Sequence, residues 1–451
     1  MATLINTTRI SRDGFIFLEH RISVPLDHHS AERDPAHIEI FAREIVVAGA
    51  EHEDRPTLLW FNGGPGHASE RPGIPSGWLG RALEEYRVIL LDQRGTGRSS
   101  AVNHRTLPHG SIQEQSDYLT LFRADSIVRD AECLRSMLIG ERRWSVLGQS
   151  FGGFCALSYL SLAPSGLDAV MITGGIPDLH HDARHIYRAT FMQTAVRNRE
   201  FFATYPEDRQ RVRELVAHLR LSDERLPTGE RLSPERFLSL GILLGTKNGF
   251  DQLHYLLENA WLPENARAGV GAGLPPTLSE SFLVDAGAVL SFAKNPLYAV
   301  LHEAIYADHA PTGWAAQSVR EELPEFAEAT YSDSTDSTGD DGDDVLFTGE
   351  MIFPWQFEQD PALTSLREVA EHLARRTDWP PLYDTAKLAA NTVPAAAIVY
   401  TQDMFVPAEG SRQTATGVGN LRVIESDQYQ HDGIRQDGAG LLEQLLAAVR
   451  C

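Results

Sequence analysis

A serine nucleophile is the first chemistry that the sequence suggests. The apolar run Trp144–Leu147 predicts a short strand, which leads directly into the Gly-x-Ser-x-Gly motif of residues 148–152 and then into a helical pattern. A serine between a strand and a helix sits on a sharp turn, where flanking glycines leave room for the backbone and the hydroxyl is exposed. The positive end of the helix favours an oxyanion at the same place. Because the motif also occurs by chance, the alternative for Ser150 is a solvent-exposed serine in a glycine-rich connection.

A serine hydroxyl is a weak nucleophile at neutral pH and needs a neighbouring base. In this strand–turn–helix arrangement the catalytic residues follow the chain order serine, acid, histidine. The sequence has 17 histidines, and only His431 lies between the last predicted strand, Leu421–Ile424, and the predicted terminal helix, Gly440–Val449. We therefore predict His431 as the base, and a surface-loop histidine is the alternative.

The acid that orients the base is expected just after the preceding strand. The run Pro394–Tyr400 predicts that strand and Asp403 follows it, so Asp403 is the predicted acid. Asp384 and Asp427 compete with it, but neither directly follows a comparable apolar strand. A turn-forming aspartate is the alternative for Asp403.

A glycine-rich turn, residues 63–66, follows the buried strand predicted at Thr57–Phe61. Enzymes with a serine on such a turn place a second oxyanion donor after an early strand. We predict the backbone N–H groups of Gly64 and of Phe151, the residue after the nucleophile, as the two donors. A phosphate-binding loop is the rival interpretation, but Pro65 has no N–H and no Gly-Lys-Ser/Thr follows.

The elements that must position these residues are strands that alternate with helices. Residues 14–50 alternate as antiparallel strands do, and an amphipathic helix is predicted over about 123–139. Continuous apolar runs predict buried strands at 57–61, 87–91, 144–147 and 170–173. This alternation is typical of βαβ units. The sequence therefore predicts an α/β fold with a mainly parallel sheet that starts with antiparallel strands.

Helical patterns dominate between residues 178 and 390, which predicts a large helical cap inserted into the sheet. The predicted core then consists of residues 1–177 and 391–451, and the cap of residues 178–390. Within the cap, the acidic run 331–344 has too little apolar material to order itself, so we expect a mobile surface loop. A calcium-binding loop is the alternative, which the missing glutamate at the closing position disfavours.

The composition indicates a globular protein with a strongly acidic surface, because 62 acidic residues against 40 basic ones give a net charge of −22. This charge argues against nucleic acids and anionic membranes as partners. No stretch has the pattern of a signal peptide or a membrane span. Cys133, Cys155 and Cys451 match no disulfide or metal-binding pattern. We expect a reduced, cytoplasmic protein.

Four motifs together resemble the proline iminopeptidase (prolyl aminopeptidase) family of α/β-hydrolases, especially its larger bacterial members. They are the turn at 63–66, Asp92–Ser99, the serine motif with Gly153, and His431–Gly433. The resemblance covers nearly the whole chain, since the early strands and the large cap also fit. Asn62 departs from the histidine that many members carry there, which puts little in doubt because the oxyanion donors are backbone groups.

The resemblance implies a serine aminopeptidase that releases the N-terminal residue, preferably proline, through an acyl-enzyme. The implied substrates are short peptides with a free N-terminal proline, and no metal or organic cofactor is required. An esterase or amidase, or an aminopeptidase with another N-terminal preference, is the alternative. A non-catalytic binding protein of the same fold is disfavoured because all three triad residues are present.

The resemblance also implies cap carboxylates that hold the charged amino terminus of the substrate. Glu303, which interrupts an apolar helical pattern, is the first candidate, because a buried glutamate is costly unless it meets a cation. Glu350 is the second candidate. Tyr306, Phe353 and Trp355 are candidate walls of a pyrrolidine pocket. Solvated or arginine-paired glutamates and ordinary core aromatics are the alternatives.

Overall fold

The computed structural model describes residues 2–29, 36–263, 276–308, 310–327 and 344–450. The chain divides into two units, which we call the sheet unit and the helical unit. The sheet unit comprises Met1–Ala183, Asn295–Gly313 and Glu368–Cys451. The helical unit comprises Arg184–Lys294 and Trp314–Arg367.

Nine strands form one sheet within the described residues. They are β1 (Thr3–Arg12), β2 (Phe15–Pro25), β3 (His37–Val47), β4 (Thr57–Phe61), β5 (Arg87–Asp92), β6 (Trp144–Gln149), β7 (Leu167–Thr173), β8 (Ala395–Tyr400) and β9 (Leu421–Ser426). Their order is β1-β2-β3-β5-β4-β6-β7-β8-β9. The pairs β1–β2, β2–β3 and β3–β5 are antiparallel, and every later pair is parallel. The predicted mainly parallel α/β sheet with an antiparallel start is confirmed.

Helices cover both faces of the sheet unit. They are α1 (Gly77–Leu83), α2 (Ile112–Thr120), α3 (Ala124–Ile139), α4 (Phe151–Leu162), α10 (Pro296–Leu301), α13 (Arg367–Ala374), α14 (Thr385–Ala389), α15 (Ala408–Thr416), α16 (Gly433–Gln436) and α17 (Gly438–Arg450). Leu59 and Phe61 of β4 pack with α3 and α4, whereas Leu58 and Trp60 pack with α1 and α17. Since alternate residues of a strand face opposite sides, the central strands are apolar throughout.

The helical unit contains α5 (Ala183–Thr204), α6 (Asp208–Leu221), α7 (Pro234–Leu238), α8 (Gly249–Glu258), α9 (Glu280–Leu290), α11 (Ala315–Glu322) and α12 (Gln356–Gln359). Phe201, Phe202 and Phe237 pack around Phe347 in its interior. The helical character expected for this stretch of chain is present.

The division of the chain differs from the predicted domain bounds. Residues 295–313 and 368–390, which the sequence placed in the cap, belong to the sheet unit. The physical reason is burial: Ile305, Leu382 and Leu388 join the hydrophobic core around α3 and α4. Helical periodicity does not reveal which core an apolar face is buried in.

Strand β1 was not predicted, because it is exposed along its whole length and has no buried face to impose alternation. Of the acidic run 331–344, only Asp344 falls within the described residues, where it pairs with Arg209 at 3.0 Å. The rest of that run lies outside the described residues.

Candidate active site

Ser150 occupies the turn between β6 and α4, with backbone angles φ 54° and ψ −126°. This left-handed region is costly for a residue with a side chain and is tolerated where the surroundings impose it. Gly152 shows how tight the turn is: a Cβ there would lie 2.0 Å from the carbonyl oxygen of Phe61. The small residues of the motif are therefore required by the close approach of β4, and they keep Ser150 on the sharp turn.

The chain just after β7 also packs against the backbone of Ser150. The Ser150 N–H donates to the Thr173 carbonyl at 3.1 Å, and a Cβ on Gly175 would lie 2.3 Å from the Ser150 carbonyl oxygen. Gly174 and Gly175 were not among the predicted site residues, although a Gly-Gly pair directly after a predicted strand was the available signal. The end of β7 thus fixes the backbone of Ser150, the predicted nucleophile.

His431 and Asp403 form a buried pair beyond the ends of β9 and β8. Nδ1 of His431 lies 2.7 Å from Oδ2 of Asp403, and the two residues are 8% and 3% exposed. The other carboxylate oxygen of Asp403 accepts from the N–H groups of Phe405 and Val406, at 2.8 and 3.1 Å. One oxygen of Asp403 is therefore held by the backbone while the other orients the imidazole.

Gln149 contributes a contact that the sequence did not suggest. Its side-chain amide donates to Nε2 of His431 at 3.3 Å. A lone pair on Nε2 leaves the proton on Nδ1, facing Asp403, which is the tautomer that a general base for serine requires. Since Gln149 directly precedes Ser150, this contact also places the imidazole beside the serine turn.

The competing aspartates occupy other environments. Asp384 accepts from the Lys387 N–H at 3.1 Å and caps α14. Asp427 is exposed in the loop after β9. Of these three aspartates, Asp403 is the one paired with His431.

The glycine-rich turn after β4 lies against the serine. A Cβ on Gly63 would be 3.1 Å from the Ser150 Cβ, so Gly64 is one residue from direct contact with Ser150. Phe151 is the first residue of α4, and the first N–H groups of a helix have no partner within that helix. The two predicted oxyanion donors are thus carried by the two segments that flank Ser150.

Comparison with known proteins agrees with this geometry. Residues 56–434 match a family model described as alpha/beta hydrolase fold. The proline iminopeptidase of Aeromonas sobria is 43% identical over 434 residues, which cover 96% of each chain. The proline iminopeptidase aneH of Aspergillus aculeatus is 35% identical, over 95% of this chain and 92% of that one.

The chain belongs to the proline iminopeptidase family. The family and the α/β-hydrolase fold that the motifs predicted are thereby confirmed. Among the helices of the described ranges, none has the length and hydropathy of a membrane span. The described residues also contain no group of three or more His, Cys, Asp or Glu side chains placed to hold a metal ion.

In this member of the proline iminopeptidase family, a small cavity adjoins the serine turn. Apart from Arg123 its lining is apolar, and it is formed by Pro65, Phe122, Arg123, Ala124, Phe151, Leu301, Ile305 and Leu382. Pro65 directly follows the predicted oxyanion donor Gly64, and Phe151 carries the other predicted donor. Four of the lining residues were not predicted for the site, because no local motif distinguishes them from other core residues: Phe122, Leu301, Ile305 and Leu382.

The predicted amine-binding and pocket residues fall in both units. Glu303 is 7% exposed in the sheet unit and starts a 3-10 turn, Glu303–Tyr306, rather than continuing the predicted helix. Tyr306 of the same turn packs against Phe154 of α4, with ring centroids 6.1 Å apart. Phe353 and Trp355 stack on each other in the helical unit at 5.7 Å, where Glu350 is half-buried.

Proposed function

We propose that this protein is a serine aminopeptidase that releases the N-terminal residue, preferably proline, from short peptides. The observation that carries the proposal is the buried Asp403–His431 pair, whose imidazole contacts Gln149, the residue before Ser150 on its strained turn. The names of the two full-length relatives support proline as the preferred residue.

In the proposed reaction Ser150 Oγ attacks the carbonyl carbon of the first peptide bond while His431 Nε2 takes the hydroxyl proton. Asp403 stabilises the imidazolium that forms. The N–H groups of Gly64 and Phe151 stabilise the oxyanion of the tetrahedral intermediate. When this intermediate collapses, the C–N bond breaks, His431 protonates the leaving amine, and the first residue remains as an ester of Ser150.

Water completes the cycle. His431 removes a proton from a water molecule, which attacks the ester and forms a second tetrahedral intermediate at the same oxyanion donors. Its collapse returns the proton to Ser150 and releases the free amino acid. Each step uses side chains and backbone groups of this chain together with water.

We assign the charged amino terminus of the substrate to Glu303 of the sheet unit. Glu350, Phe353 and Trp355, which lie in the helical unit, stay predictions from the resemblance. Glu303 is supported by its burial and by its neighbours, since Leu301 and Ile305 line the cavity beside Phe151. A carboxylate in such surroundings interacts strongly with a cation. Tyr306, in the same 3-10 turn as Glu303, is proposed to contact the pyrrolidine ring.

A substrate panel tests the proposal. We expect the purified protein to cleave proline arylamide at least about tenfold more efficiently than alanine or leucine arylamide, because pocket fit discriminates side chains by about 1–3 kcal/mol. N-acetylproline arylamide should be a poor substrate, since it lacks the amine. Faster cleavage of a short-chain ester than of every aminoacyl arylamide would indicate an esterase, and equal cleavage of the acetylated substrate would exclude the amine role of Glu303.

A further inference from the structure

The segment Asn295–Ala307, which carries Glu303, is fastened at its first residue to the turn that follows β4. Asn295 precedes α10 and is a residue type that favours capping a helix, yet its side chain caps nothing there. Its amide donates instead to Nε2 of His67. Asn295 therefore links two parts of the sheet unit that are 228 positions apart in the chain.

The other ring nitrogen of His67 lies close to residues 63–66, which we call the oxyanion turn. Burial lowers the pKa of His67 below its usual range, so the ring is neutral at neutral pH and Nε2 can accept from Asn295. The remaining proton is then on Nδ1. A Cβ on Gly64 would lie 3.0 Å from this Nδ1, which places the imidazole directly beside the predicted donor Gly64.

Close packing reinforces this link. A Cβ on Gly66 would lie 2.5 Å from the backbone nitrogen of Tyr298, so the turn and α10 meet backbone to backbone. The His67 ring packs edge-on against Tyr298 at 5.2 Å, and Tyr298 packs against His302 at 4.8 Å. His302 directly precedes Glu303, so the contacts that start at Gly64 reach the residue beside the proposed amine ligand.

The other end of the segment is held by a buried arginine. Arg123, which is 2% exposed, donates to the Ala307 carbonyl and, at 3.1 Å, to the Pro380 carbonyl. Its guanidinium lies 4.7 Å from the Trp379 ring. Burial lowers its pKa to about 10, so it remains charged at neutral pH. Both ends of the segment are thus attached to other parts of the sheet unit, Asn295 to His67 and Ala307 to Arg123.

We propose that His67, through Asn295, is a positioning residue that holds the Glu303 carboxylate in a fixed place relative to the oxyanion turn. The peptide bond to be cleaved then sits at Ser150 only when the amino terminus of the substrate is bound. This proposal rests on the proposed function, because it takes Glu303 as the ligand of the substrate amine. It adds a residue, His67, that couples recognition of the amine to the reaction centre.

The test compares two substrates of the same serine, proline arylamide and a short-chain p-nitrophenyl ester without an amine. Asn295→Ala should raise KM for the arylamide about tenfold, the value of one well-formed hydrogen bond, and change ester turnover less than twofold. Asn248→Ala is the matched control, because Asn248 also precedes a helix without capping it. The control should leave both substrates unchanged.

Double variants show whether the effect passes through the proposed partners. In the background of His67→Ala or of Glu303→Gln, Asn295→Ala should change KM for the arylamide less than twofold, since the link or its target is already lost. A full tenfold effect in either background would overturn the proposal. Equal loss on arylamide and ester would also overturn it, because that result indicates general damage to the fold.

Glu303→Gln alone separates this proposal from the proposed function. If it lowers arylamide cleavage relative to ester cleavage while Asn295→Ala does not, the amine role stands and the positioning role fails. If Glu303→Gln leaves the ratio unchanged, the amine role fails and the positioning proposal falls with it. Asn295 is half-buried, so its alanine variant gives a readout even if His67→Ala does not fold.

Discussion

The serine turn and the segment Asn295–Ala307 belong to the same unit but are held in different ways. Around Ser150, backbone packs on backbone, and a Cβ on Gly152 or Gly175 would overlap a carbonyl oxygen. The segment also packs backbone to backbone where Tyr298 meets Gly66, but each of its two ends is held by a side chain, by the Asn295 amide and the Arg123 guanidinium. The turn therefore admits a single geometry, whereas the segment depends on individual hydrogen bonds that one substitution can remove.

The largest expected effect comes from removing the proposed nucleophile. Ser150→Ala should lower kcat by about 10⁴- to 10⁶-fold, because the remaining oxyanion donors and binding contacts supply only a small part of catalysis. The measurement is proline arylamide turnover, together with labelling by a fluorophosphonate probe. An unchanged melting temperature serves as the control, and substantial residual turnover would contradict the serine mechanism.

The next largest effect concerns the partner of the base. Asp403→Asn should lower kcat by about 10⁴-fold, since an amide in place of the carboxylate favours the wrong tautomer of His431 and does not stabilise its charged form. Asp427→Asn is the matched control, because Asp427 is exposed. Equal activity of the two variants would indicate that another acid orients His431.

The third prediction concerns a substitution that disturbs the backbone of the serine turn without removing a functional group. Gly152→Ala should destabilise the protein by about 1–3 kcal/mol or more, because the new Cβ would lie 2.0 Å from the Phe61 carbonyl oxygen. Gly73→Ala is the control, since a Cβ there meets nothing within 4 Å. The measurement is urea denaturation, and equal stability of both variants would show that the turn is less constrained than its geometry indicates.

The smallest expected effect probes the second end of the segment. Arg123→Lys keeps the charge but loses the planar fork that reaches two carbonyls, at a cost of about 1 kcal/mol in the free energy of unfolding. KM for proline arylamide should rise a few-fold while ester turnover is unchanged. Exposed Arg105→Lys is the control. If Arg123→Lys lost more stability than Gly152→Ala, the conclusion that the serine turn is the more constrained of the two regions would be reversed.

The same difference explains what the sequence could predict. Ser150, Asp403 and His431 each follow a recognisable strand in a fixed chain order, and the structure brings Asp403 and His431 together at 2.7 Å. Their roles remain proposals that the variants above test. The sheet class was predictable because continuous apolar runs and alternation with helices are local signals.

The remaining features depend on contacts between residues far apart in the chain. Nothing local to Asn295 indicates His67, and nothing local to Ala307 indicates Arg123. Residues 295–313 and 368–390 have helical apolar patterns. Such a pattern is the same whether the helix packs against the sheet or against other helices, so periodicity alone could not assign these residues to one unit or the other. Gln149 was visible in the motif, but its contact with His431 depends on tertiary structure.

The assembly of the sheet unit from three separate stretches of chain has a consequence for synthesis. Gln149 and His431 meet across 282 positions, so a growing polypeptide displays its serine long before the imidazole has been translated. Loop closure over such a separation is slow relative to local helix formation. Under the proposed mechanism, the nascent chain is therefore inert toward the peptides around it until His431 has left the ribosome.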